Sequence, residues 1–188
     1  MIKNQSSLWS ANEDVKKKSN LAQFCKHLDK KKLRKYNHNF KDLWKWSINN
    51  SEIFWSEIWD FTKIRGVKGK KIIKKNKVFR KNIFFPFSRL NYTENLLSKN
   101  DNSKAVTFIS ENGYREEKSW KELNNGTLKL INFLKKNKIN EKDRVAAYTA
   151  NQIETVESFL AASAIGAIWS SCSPDFGAQG VIERFSQI

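Results

Sequence analysis

The chain has 188 residues, 35 Lys and Arg against 19 Asp and Glu, and 13% aromatic residues; at about 150 residues per domain this length excludes a large multidomain enzyme. With seven Trp and a mean hydropathy of -0.66 it can bury about 70% of its unfolded surface, which excludes disorder throughout. No stretch approaches the roughly 18 apolar residues of a membrane span, and Met1-Ile2-Lys3-Asn4-Gln5 lacks the apolar core of a signal peptide, so a cytoplasmic protein with no membrane partner is expected.

From Leu8 to about Thr62 the pattern is helical. Leu21, Phe24, Cys25 and Leu28 recur at the spacing of one helix face, and Phe40, Leu43, Trp44 and Ile48 repeat it. Ser51 is placed to cap a third helix, with Glu52 in its first turn and Phe54, Trp55, Ile58 and Trp59 three and four apart. Helical periodicity puts these rings on one side, so they are expected in a core rather than along a base-stacking track. Residues 64–100, broken by Gly66, Gly69 and Pro86, are expected as a long, partly extended connection.

The composition changes after Asp101. Ala105–Ile109 and Tyr114–Lys118 flank Asn112-Gly113, a hairpin turn signal. Ser119 with Glu122 forms a capping box ahead of Leu123, Thr127, Leu130, Ile131 and Leu134, predicting a helix to about Asn137. Arg144–Thr149 reads as a short buried strand, Glu154–Ile165 as an Ala-rich helix stopped by Gly166, and Ala167–Ser171 as a second strand, which together make a parallel βαβ unit. A last helix is expected at about Gln179–Gln187. The fold class is therefore α/β, with a Trp-rich helical extension ahead of a hairpin and the βαβ unit. Because ligands of parallel sheets gather at the carboxyl ends of strands, the loop from Cys172 to Ala178 is the candidate site; any α/β protein needs such a loop for turning.

The formal charge is +16. Residues 1–100 carry 24 basic and 8 acidic side chains and 101–188 carry 11 of each, so the excess lies upstream, in runs such as Lys30–Lys35 and Lys68–Lys77. A basic nucleic-acid-binding protein is one reading. Lys outnumbers Arg by 28 to 7, beside 20 Asn, a bias that AT-rich codons produce at tolerant surface positions, whereas nucleic-acid surfaces use Arg for bidentate contacts. No specific nucleic-acid partner is therefore expected. Cys25 and Cys172, 147 positions apart with no CxxC, suggest neither a disulfide nor a zinc site. His27 and His38 lie in the helical region, so no base is evidently placed to activate Cys172 as a nucleophile.

Three segments carry a resemblance: Arg89-Leu90-Asn91-Tyr92-Thr93-Glu94-Asn95-Leu96-Leu97, Arg144-Val145-Ala146-Ala147-Tyr148, and Gly166-Ala167-Ile168-Trp169-Ser170-Ser171-Cys172-Ser173-Pro174-Asp175-Phe176-Gly177. They resemble the amino-terminal part of the acetoacetyl-CoA synthetase family within the adenylate-forming acyl-CoA synthetases; Trp44-Lys45-Trp46-Ser47 and Phe54–Phe61 fit in order and spacing. The resemblance implies an amino-terminal helical extension and connector over residues 1–100 and the start of a truncated AMP-binding domain over 101–188. It further implies an acid-thiol ligase in which ATP, with Mg2+, activates acetoacetate or a similar short acyl acid as an acyl-adenylate that CoA then intercepts. The family's Ser/Thr/Gly-rich phosphate loop and catalytic Lys have no counterpart among the seven scattered Gly of this chain. The 188 residues alone are accordingly expected to be inactive and to bind no cofactor tightly, with no catalytic residue and no metal ligand. By the resemblance, Ser173, Pro174, Asp175, Phe176 and Gly177 line a wall of the CoA and acyl channel; Arg184 is expected to be merely solvated on the exposed face of its helix, the alternative being contact with phosphate or ribose. The alternative is a non-catalytic remnant or binding protein from a truncated gene.

Overall fold

In the computed structural model, residues 9–37 and 39–188 are described; Met1 to Gln5, Leu8 and His38, named above, lie outside them. The chain divides into two compact units, one formed by the described residues up to Ile64 with Lys68–Ser88, the other by Arg65–Val67 with Arg89–Ile188.

The first unit begins with α1 (Glu13–Lys18), α2 (Asn20–Lys30), α3 (Phe40–Asn49) and α4 (Ser51–Phe61). Asn12, Ser19 and Asn39 cap α1 to α3 by accepting amide hydrogen bonds. Phe24, Cys25, Leu28 and Leu43 form the core, with Leu33, Tyr36, Trp46, Phe54, Ile58 and Phe61 packed on it. Three expectations are corrected here. Ser51 is the first residue of α4 rather than its cap; Asn50 is the cap and makes no side-chain cap bond. Leu21 is exposed and Ala22 buried in its stead. Phe40, Trp44 and Ile48 are exposed as well, because they form a stripe four residues apart, while Leu43 and Trp46 on the adjoining face enter the core. Core packing of the aromatics thus holds for Trp59, which is buried, but not for Trp55, which is exposed, nor for that stripe.

Within the expected connection the chain builds β1 (Ile73–Lys74) and β2 (Ile83–Phe84), an antiparallel pair, with a 3-10 turn at Phe79–Lys81 between them. Phe84 packs edge-on against Trp55 and Phe85 against Trp59. Successive strand residues normally point to opposite faces, but Phe85 has φ 47, and both rings meet α4.

In the second unit α5 (Tyr92–Leu96) precedes the hairpin of β3 (Lys104–Ile109) and β4 (Arg115–Ser119). Gly113 turns it at φ 83. The capping box forms: Ser119 accepts from the Glu122 amide, the Glu122 carboxylate accepts from the Ser119 amide, and α6 runs over Trp120–Lys136. Next come β5 (Arg144–Tyr148), α7 (Ile153–Ala164), β6 (Ile168–Cys172) and α8 (Ala178–Phe185). β5 and β6 pair in parallel from Arg144↔Ile168 to Tyr148↔Cys172. After α7, Gly166 at φ 77 gives its amide to Ser163 O, and Ala167 N donates to Ala162 O, a Schellman stop. β5 is not a buried strand: Arg144, Ala146 and Tyr148 are exposed, because this sheet has two strands and α7 covers one side. The core sits where α6 and α7 meet, at Leu123, Thr127, Ile153, Leu160 and Ala161.

Candidate functional site

The parallel pair brings Tyr148 and Cys172 side by side at its carboxyl end, and the chain leaves β6 through Ser173–Gly177 into α8. Loop and strand end are tied together. The Tyr148 hydroxyl lies 2.7 Å from Pro174 O and 3.1 Å from Phe176 O. A hydroxyl carries one proton, so it shares it between two carbonyls that would otherwise face water. Within the loop the Ser173 hydroxyl donates to Asp175 Oδ2 at 2.6 Å, Phe176 N donates to Ser173 O, and Thr149 N donates to Cys172 O.

The five site candidates are thus contiguous in space, with Ser173 half-buried and Pro174, Asp175, Phe176 and Gly177 exposed. Gly177 is the N-cap of α8 and makes no side-chain cap bond, so the first amides of α8 point out beside the loop. Arg184 is not merely solvated: its guanidinium carbon lies 4.6 Å from the centre of the Phe176 ring, a cation–π contact between the second turn of α8 and the loop. Gly180 makes room for that ring, since a Cβ there would meet Phe176 Cδ1 at 3.2 Å. The result is an open platform: an apolar ring, a cation above it, and a row of amides.

The sequence singled out the loop and Arg184, but neither the contact of Arg184 with Phe176 nor the part of Tyr148 in tying the loop down. Tyr148 could have been suspected as a polar-tipped residue closing an apolar strand. Other candidates stand elsewhere. Cys172 is buried beneath the loop, and both cysteines are free thiols. Burial pushes the Cys25 thiol up, and Arg34 pulls it partly back. His27 is engaged with Glu57, at 2.7 Å. Among the described residues no cluster of three or more His, Cys, Asp or Glu could hold a metal ion. No helix among them is long and apolar enough to cross a membrane.

The family model described as AMP-binding enzyme matches residues 95–187. The acetoacetyl-coenzyme A synthetase of Rhizobium meliloti (strain 1021) is 35% identical over 181 residues, which is 96% of this chain and 28% of that protein. That of Xenopus tropicalis is 40% identical over 154 residues, 80% of this chain and 23% of that protein. In fold, the acetoacetyl-CoA synthetase from Streptomyces lividans superposes on 98% of the chain with a TM-score of 0.88 at 24% identity, over 29% of its own length. The chain therefore spans about a quarter of the length of the relatives it matches.

Proposed function

We propose that this chain belongs with the AMP-binding enzymes, whose family model matches residues 95–187, and that it supplies the amino-terminal part of an ATP-dependent acetoacetate-CoA ligase like the relatives it resembles. The observation that carries the proposal is the 35% identity to such an enzyme over 96% of the chain. Acetoacetate, or a short acyl acid like it, is the proposed substrate, with ATP, Mg2+ and CoA as the co-reactants of the complete enzyme. Residues 1–100 serve as the helical extension and connector, and 101–188 open the AMP-binding domain.

The residues present fit one of these groups and not the others. Nothing in the chain resembles a glycine-rich phosphate loop with its Lys, so the positioning of the ATP phosphates and their metal belongs to residues outside these 188. The platform at Ser173–Gly177 does suit a wall of the CoA and acyl channel. Phe176 offers a flat apolar surface, Arg184 fixes its orientation, and Tyr148 holds the Pro174 and Phe176 carbonyls inward. CoA supplies the thiol that takes the acyl group. The contribution of this chain is to orient that wall ahead of reaction, since a positioned reactant avoids the entropic cost of finding its geometry.

The test is capture of the native product with an antibody against residues 101–188, followed by acetoacetate-dependent ATP–pyrophosphate exchange. Exchange in the captured material, and none in the isolated 188 residues, is expected. Exchange by the isolated chain would overturn the assignment of the phosphate chemistry elsewhere. A captured product of 22.0 kDa that lacks exchange would favour a non-catalytic remnant or binding protein.

A further inference from the structure

The segment Lys68–Ser88 of the first unit contains seven Lys and one Arg and no acidic residue. Lys68 is paired, donating to Asp60 Oδ1 and Ser56 O, both at 2.9 Å. The other seven cations are exposed, and none makes an ion pair among the described residues. Large apolar side chains are exposed in the same segment: Phe79 is 81% exposed and Phe87 68%, with Val78 and Ile83 about half exposed. Holding a phenylalanine in water is unfavourable, and a flexible loop would fold it back.

This loop is not free to do so. Asn82 Oδ1 accepts from Asn76 N at 2.7 Å, Asn76 Oδ1 accepts from Val78 N at 3.0 Å, and the turn at Phe79–Lys81 closes through Lys81 N to Val78 O and Asn82 N to Phe79 O. At its base Ile73 is buried and the Phe84 and Phe85 rings are seated on α4. The segment is a braced finger that presents Val78-Phe79 at its tip, between Lys77 and Arg80-Lys81.

We propose that this finger docks on an anionic lipid bilayer, with Phe79 and Val78 entering the interface and the surrounding lysines against the headgroups. Charge complementarity is the first argument, because each Lys or Arg held near an anionic bilayer adds to the attraction. The second is the tip: one braced apolar wedge suits insertion at the headgroup boundary, whereas a nucleic-acid strand calls for a row of stacking rings along a groove. The third is composition, since lysine point charges match a diffuse headgroup layer and the bidentate contacts of nucleic-acid readout use Arg. Docking of this kind needs no spanning helix, and none is present among the described residues.

Vesicle flotation of the 188-residue chain tests the proposal, because it separates bound protein from aggregate. Expected is flotation with vesicles of phosphatidylcholine plus phosphatidylserine and none with phosphatidylcholine alone. Phe79→Ala should lower the partition by about tenfold, and Lys77→Gln or Lys81→Gln by about fivefold each; all three sites are exposed, and unchanged tryptophan fluorescence checks the fold. Equal binding to both vesicles, or anionic binding that survives Phe79→Ala, overturns the proposal. So does binding to neither, in which case Phe79-dependent self-association would give the finger to a second copy, and Phe79-dependent binding of single-stranded oligonucleotide would give it to nucleic acid.

Discussion

Glu57 sits in the first unit at 8% exposure with two donors on one oxygen, His27 Nε2 and Lys31 Nζ, each at 2.7 Å from Oε2. Burial raises its pKa, but the hydrogen bonds and charges of Lys31 and His27 outweigh that and hold the carboxyl below its usual 4.5. The folded state therefore binds the proton less readily than the unfolded chain. The contribution of this carboxylate is complete above about pH 4.5 and is lost as the pH falls through its lower folded value. Glu57→Gln should cost about 1–3 kcal/mol at pH 7, and the difference from the parent should narrow near pH 3. Urea midpoints at the two pH values check this. In the second unit Lys118 bridges Glu154 and Glu157, at 3.4 and 3.1 Å. Gly126 leaves the space that the Glu157 carboxylate fills, for a Cβ there would stand 2.1 Å from Oε1.

At the scale of elements, the segment from Arg89 to Leu97 has a structural explanation that its resemblance to a family does not provide. Asn91 Oδ1 accepts from Glu94 N and caps α5, while its Nδ2 donates to Ser163 O and Ala164 O at the open end of α7. Thr93, buried, donates to Leu160 O at 2.7 Å, and Asn95 exchanges bonds with the backbone of Arg65. One short helix is thus clamped across a longer one, with Tyr92 against Phe159. Asn91→Ala removes one cap and two carbonyl partners and should lower the unfolding free energy by about 1–3 kcal/mol. Hydrogen exchange should show the added opening at Ser163–Gly166 before the middle of α7. Protection unchanged at the end of α7 would mean that Asn91 does not hold it.

For the whole molecule the governing fact is that the chain forms two units and that the described residues build three sheets of two strands each. The outer edges of β5 and β6 carry backbone groups with no strand beside them, and Ile168 is 49% exposed there. An open edge with an apolar side chain recruits further strands. The isolated chain should therefore associate as its concentration rises, and Ile168→Lys should weaken that association severalfold in sedimentation velocity. Association unaffected by this charge would direct attention to other apolar surface, such as the Phe40–Trp44–Ile48 stripe of α3.

Much of the second unit was legible in the sequence because its signals are local. A capping box at Ser119, a Gly at the end of α7 and Asn112-Gly113 between two strands each specify backbone geometry within a few residues. The loop Ser173–Gly177 was legible for the same reason, as the turn that a strand and a following helix require. Tertiary structure alone decided which apolar stripe of α3 faces inward, because periodicity defines a face but not its partner. It also brought Tyr148 and Arg184 to the loop, contacts that join residues 26 and 28 positions apart and one ring to the next helix. Such contacts depend on how β5 lies beside β6, and strand register is a property of the folded chain that neither strand carries alone.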